Sequence, residues 1–150
     1  MYVTGREVTV QNGRGPNAIG FASAVTASMN EQFGSMFAVS IEIGGPLNKL
    51  WITGFWQTLA DYQTFVDGYM SDPKYQVAMG TADSVMADAQ DQIGMVMRPP
   101  GERKEFAAMS TGRVKNTHLA QGIEFAVGAA ELCSTITGTE FGLVVPVTGD

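Results

Sequence analysis

One histidine, His118, and one cysteine, Cys133, bound the chemistry this chain can perform. A Ser-His-Asp triad or axial ligation of haem would have to use His118, and a multi-histidine metal site within one chain is excluded. His118 stands at a turn entering a helix, where surface and capping roles are common. Cys133 shares a helical face with Ala129, Ala130 and Ile136, which reads as a buried, inert thiol. Glu42 ends a strand. Inside an apolar cavity its carboxyl would be pushed up and could act as a base; at a strand end in water it would not. Glu42 and His118 are therefore the candidate catalytic residues. Thr9, Ser40, Trp51, Thr53, Trp56 and Arg113 are the candidate ligand-binding residues, on strand faces or at their rims. Trp51 and Trp56 have opposite parity on one strand, so one faces the helices and the other the open side.

Three further patterns carry less chemistry. Gly13-Arg14-Gly15-Pro16-Asn17-Ala18 fits G-x-G-x-x-A between a strand and a helix, as in a dinucleotide-binding turn, with Glu42 as the ribose-binding acid. The following elements do not continue as strict β-α-β-α, so a glycine-rich connector is the better reading. Met79, Met86, Met95 and Met97 suit either an adaptable cavity or ordinary core. Asp83, Asp88 and Asp91 read as a solvated helix end rather than a hard-cation site, and no metal or cofactor is implied.

Alternation and punctuation place these residues on elements. Tyr2, Val8 and Val10 share one strand parity, and Asn12 to Pro16 breaks the strand. Ala18, Phe21, Ala22, Val25, Met29 and Phe33 then fall at helical spacing up to Gly34. Phe37, Val39, Ile41 and Ile43 alternate with Ala38, Ser40 and Glu42 as a second strand, ended by Gly44-Gly45-Pro46. If the first set packs under helices, Ser40 and Glu42 point to the open side. Leu50 to Trp56 forms a third strand, and Thr58 with Asp61 caps a helix carrying Leu59, Tyr62, Phe65, Val66 and Tyr69. Ser71-Asp72-Pro73 restarts a helix carrying Tyr75, Met79, Ala82, Val85, Met86 and Ala89. Ile93, Met95 and Met97 make a fourth strand. The order β-α-β-β-α-β is that of a ferredoxin-like unit.

The end of the chain repeats its beginning at an offset of 104 residues, Phe125 against Phe21. Val10, Asn12, Ile19, Ala22, Gly34, Phe37 and Gly45 recur as Val114, Asn116, Ile123, Ala126, Gly138, Phe141 and Gly149, and His118 aligns with Arg14. The reading is a first unit over 1–98, a linker over 99–104 and a partial second repeat over 105–150. The repeat comprises a strand over Glu105 to Val114, a helix from Leu119 to Ile136 and a strand from Phe141 to Val147. Phe21 and Phe125 are expected in like environments.

Composition limits the function classes. Nine basic and fifteen acidic residues give a net charge of −6, which excludes a broad electrostatic hold on nucleic acid or anionic lipid. Met1 to Thr9 alternates and contains Arg6 and Glu7, so it is neither a signal peptide nor a membrane span. The expected compartment is cytoplasmic, and a lone cysteine agrees with it.

Leu50 to Met79, reading LWITGFWQTLADYQTFVDGYMSDPKYQVAM, resembles the middle of dimeric α+β barrel proteins of the antibiotic-biosynthesis-monooxygenase-like and NIPSNAP-like type. Trp56, Tyr62, Phe65, Pro73 and Tyr75 occupy that family's aromatic and proline positions. The resemblance implies an α+β, ferredoxin-like fold in which two units pair sheets into a barrel. In different members the lumen of that barrel holds an aromatic polyketide, a haem or a small aldehyde. Two roles are thereby expected. One is a homo-oligomeric assembly component built by sheet-to-sheet packing. The other is an enzyme of the cofactor-free monooxygenase-like or isomerase-like kind that takes a small apolar or aromatic ligand.

Overall fold

The computed structural model describes residues 1–45, 48–102 and 104–147. Pro46 in the turn after the second strand, Arg103 in the linker, and Gly149 and Asp150 at the end of the repeat lie outside the described residues. The chain divides into a unit over Met1–Met95, to which Pro146 and Val147 also belong, and a unit over Val96–Val145.

The first unit begins with β1, Tyr2–Val10, and α1, Gly15–Phe33. Pro16 occupies the first turn of α1, where a missing N–H costs nothing, and Gly34 ends it at φ 63°, a left-handed conformation that glycine adopts without strain. β2, Ala38–Ile41, and β3, Lys49–Trp56, follow. α2, Leu59–Met70, starts with a reciprocal cap in which the Asp61 N–H donates to the Thr58 hydroxyl and the Thr58 N–H to the Asp61 carboxylate. α3, Pro73–Ala82, is capped by Asp72. β4, Met86–Arg98, closes the unit.

β1 pairs antiparallel with β3 and with β4, and β3 pairs antiparallel with β2, which gives the strand order β2-β3-β1-β4 of a ferredoxin-like sheet. The fold is α+β, as the order of elements predicts. One sheet face carries Val8, Val10, Leu50, Val39 and Ile52, packed against Ala18, Phe21 and Ala22 of α1. Val8 and Ala18 are wholly buried and Leu50 is 1% exposed. None of this unit's helices lies on the opposite face, where Val3, Gly5, Glu7 and Thr9 align with Phe55, Thr53, Trp51 and Lys49.

β4 corrects the sequence reading. Val85, Met86 and Ala89 suit a helix by spacing, but α3 stops at Ala82 and the strand starts at Met86 rather than near Ile93. Pairing decides: the second edge of β1 is satisfied along its whole length by Met86 to Met95, with a register shift at Thr9/Val10. Asp88 and Asp91 therefore lie on a strand, not at a solvated helix end, while Asp83 caps α3.

The second unit holds a short 3₁₀ turn at Asn116–His118, α4 at Leu119–Thr137 and most of β5, Leu143–Pro146. α4 has 19 residues like α1, and it ends on Gly138 at φ 66° as α1 ends on Gly34. A helix-to-strand latch also recurs. The Phe37 N–H donates to the Asn30 side chain at 2.7 Å, and the Phe141 N–H donates to the Ser134 hydroxyl at 3.0 Å. The environments do not recur. Phe21 packs against a core, whereas Phe125 is 78% exposed.

Two expectations fail for one reason. Residues 105–114 form no strand, and Cys133 is exposed rather than buried. β1 is held between β3 and β4, and among the described residues the second unit holds no counterpart of that pair; a lone strand is not stable, and a helix face without a sheet stays bare. No residue of α4 is buried.

Candidate functional site

The first unit contains a cavity of about 220 Å³ between its sheet and its three helices. Its floor is Thr4 and Arg6 of β1, Ile52 of β3 and Asp91 of β4. Its walls are Phe21, Val25 and Met29 of α1, Tyr62, Phe65 and Tyr69 of α2, and Tyr75 and Met79 of α3. The helical stripe Leu59, Tyr62, Phe65, Val66, Tyr69 turns one face of α2 inward, and Pro73 redirects the chain so that Tyr75 meets Tyr69 at 4.6 Å between ring centroids. Trp56 and Phe37 extend this aromatic wall, with Trp56 at 4.9 Å and Phe37 at 5.1 Å from the Phe65 ring. Gly54 is required beneath them, because a Cβ there would stand 2.7 Å from the Phe37 ring.

The lining is mostly apolar, with Thr26, Asp83, Asp88 and Gln92 also on it, and one ion pair stands in its floor. Arg6 lies on the same strand face as Val8 and Val10, and its Nε and Nη2 donate to the two Asp91 oxygens at 2.6 and 2.7 Å. Asp91 and the Tyr75 hydroxyl hold the Arg6 guanidinium well above its usual pKa. Burial pushes the Tyr62 phenol up, and burial helped by Tyr75 pushes Tyr69 to about 12. Each of these phenols is influenced by Arg6, Asp91 and Tyr75, so the three tyrosines converge on the ion pair. The Tyr62 and Tyr69 hydroxyls have no hydrogen-bond partner among the described residues.

The Tyr69 shift has a measurable sign. An unfolded chain releases this proton near pH 10 and the folded one near pH 12, so stability contributed by the neutral phenol is intact below pH 10 and lost between pH 10 and 12. Thermal melts across that window should show the loss, and Tyr69→Phe should remove it. A melting temperature with the same pH slope in both proteins would contradict the assignment.

The structure scatters the residues singled out by sequence. Thr9, Ser40, Trp51 and Thr53 share the open sheet face, away from the cavity. Trp56 lies on the helix face, where its Nε1 donates to the Thr4 hydroxyl at 3.0 Å. Glu42 lies past the end of β2, and a Cβ on Gly45 would collide with its carboxylate. His118 is an exposed residue at the start of α4, its Nδ1 2.9 Å from the Thr117 hydroxyl, and Arg113 is exposed in the loop before it. Arg6 and Asp91 were missed as a site. The available signal was a lone cation on the apolar parity of the first strand. Among the described residues no cluster of three or more metal-ligating side chains occurs, and no helix is long and apolar enough to cross a membrane.

No family model and no curated protein matches the sequence. Solved structures do match. An uncharacterised NIPSNAP domain protein from Burkholderia xenovorans superposes with a TM-score of 0.57 at 12% identity, over 70% of this chain and 100% of that one. A NIPSNAP family protein from Agrobacterium tumefaciens gives 0.55 at 13%, over 61% and 89%. A putative antibiotic biosynthesis monooxygenase from Deinococcus radiodurans gives 0.51 at 13%, over 75% and 100%. The chain has the ferredoxin-like fold of these NIPSNAP-like and antibiotic-biosynthesis-monooxygenase-like proteins. At such identities the likeness extends to the fold alone, and function has to be argued from the cavity.

Proposed function

We propose that the first unit binds a small, largely apolar molecule in the cavity between its sheet and α1, α2 and α3. The observation that carries this reading is the cavity itself: about 220 Å³ walled largely by aromatic rings and methionines, with the Arg6–Asp91 pair in its floor. Drug-sized ligands occupy pockets of roughly 300–1,000 Å³, so a molecule of about one ring is the appropriate size. The monooxygenase-like neighbour supplies an enzymatic precedent for the fold, and the Arg6, Asp91 and tyrosine corner supplies groups that could orient a substrate. Toluene is a suitable first probe because it tests volume and apolarity without polar contacts. It should raise the melting temperature of the native chain, and Met79→Trp, which fills the cavity from α3, should abolish the rise while leaving the protein folded. An equal rise in both proteins would count against this site.

A second reading concerns assembly. The open sheet face presents Val3, Trp51 and the 40% exposed Phe55 with no helix of its own unit above them. The same face carries Glu7 paired with Lys49, and an uncovered sheet face of this mixed kind calls for a partner; proteins of this type are expected to pair sheet to sheet. A homodimer through this face supports the cavity reading, since it leaves the helix side of each sheet free.

A further inference from the structure

The polar corner of the cavity holds one cation and one anion in a bidentate pair, Arg6 with Asp91. Asp91 takes two guanidinium N–H groups and the Tyr75 hydroxyl faces the same cation, out of five N–H groups that arginine carries. The Tyr62 and Tyr69 hydroxyls also lack partners among the described residues, and both line the cavity. The corner therefore has hydrogen-bond donors to spare but no free cation, and Asp83 and Asp88 elsewhere on the lining add negative charge. The pair is partly exposed, Arg6 at 34% and Asp91 at 53% of its side chain, so a carboxylate arriving there is opposed mainly by the Asp91 oxygens and meets no free cation. A carbonyl oxygen can accept from the same donors at no such cost.

Building on the cavity reading above, we propose that Asp91 sets the charge class of the ligand: by occupying Arg6 it makes the site accept an uncharged carbonyl compound and refuse a carboxylate. Asp91 acts here as a specificity residue through Arg6, and the ligand class is a one-ring molecule bearing a ketone or amide oxygen.

Three probes of like size separate the possibilities on the intact native chain, by protein-observed NMR titration: toluene, acetophenone and benzoate. Acetophenone should bind about threefold or more tighter than toluene, the worth of one net hydrogen bond, and benzoate should show no saturable shift. In Asp91→Asn, which keeps the shape and frees the Arg6 charge, benzoate affinity should rise about tenfold or more, as expected for a hydrogen bond to a charged group. Acetophenone should change less. Benzoate binding to the native chain as tightly as acetophenone would overturn the proposal, as would folded Asp91→Asn without a gain for benzoate. Should Asp91→Asn fail to fold, Asp91→Ser replaces it, and the native-chain comparison decides by itself. Toluene separates the two levels. Toluene bound with no discrimination between acetophenone and benzoate overturns only the role of Asp91, whereas loss of toluene and acetophenone binding together overturns the cavity reading as well.

Discussion

Leu50→Ala will lower the stability of the first unit by about 2–5 kcal/mol, the range for deleting a buried leucine side chain. Leu50 is 1% exposed at the centre of the sheet, opposite Val8 on one side and Ile41 on the other, beneath Ala18 and Ala22 of α1. Those neighbours are small or β-branched and belong to fixed strands and a helix, so they cannot collapse into the space. For a unit of this size each kcal/mol moves the melting temperature by roughly 4–8 °C, so calorimetry should show a drop of at least ~8 °C. Ile41→Ala is the matched control. Ile41 lies on the edge strand and is 54% exposed, and its loss should shift the transition by a few degrees at most. Equal shifts for the two variants would mean that the core is misplaced.

Phe55→Asp will dissociate the proposed dimer. Phe55 lies on the open face of β3 in register with Val3, is 40% exposed, and is not among the residues that line the cavity. An aromatic buried in an interface behaves as a hot spot worth about 2 kcal/mol or more, and a buried unpaired carboxylate adds a desolvation cost, so the dissociation constant should rise by at least about thirtyfold. Sedimentation equilibrium of both proteins reads the change. Far-ultraviolet circular dichroism should stay constant, because the side chain supports no contact within its own unit that a helix covers. A native chain that sediments as a monomer across the micromolar range would end the assembly reading, and the cavity would stand without it.

Much of the first unit was legible in the residues. The alternation of Tyr2, Val8 and Val10, the spacing of Ala18, Phe21, Ala22 and Val25, and the Thr58/Asp61 pair named strand, helix and cap because each is a local signal. The start of β4 was not legible, since Val85, Met86 and Ala89 satisfy helical spacing, and only the unpaired edge of β1 decides between helix and strand. The same non-local term works in reverse at 105–114, where an alternating segment has no strand to pair with and remains irregular. It also hid the polar floor of the cavity. Arg6 and Asp91 are 85 positions apart and meet only because β1 and β4 align them in register, while Glu42 and His118, attractive by residue type, lie away from the cavity at a strand end and a helix start. The tyrosines were recognisable as an apolar stripe, but their hydroxyls gained meaning only with Arg6 beneath them.

The cavity can be interrogated residue by residue through its methionines. Met29, Met79 and Met86 line it, whereas Met70 and Met109 are 55% and 76% exposed and lie elsewhere. In the methyl-labelled native chain, titration with toluene should move the Met29, Met79 and Met86 methyl resonances together along one saturable curve and leave Met70 and Met109 in place. Resonances of Met29, Met79 and Met86 that stay fixed, or shifts confined to Met70 and Met109, would contradict a ligand site between the sheet and its helices.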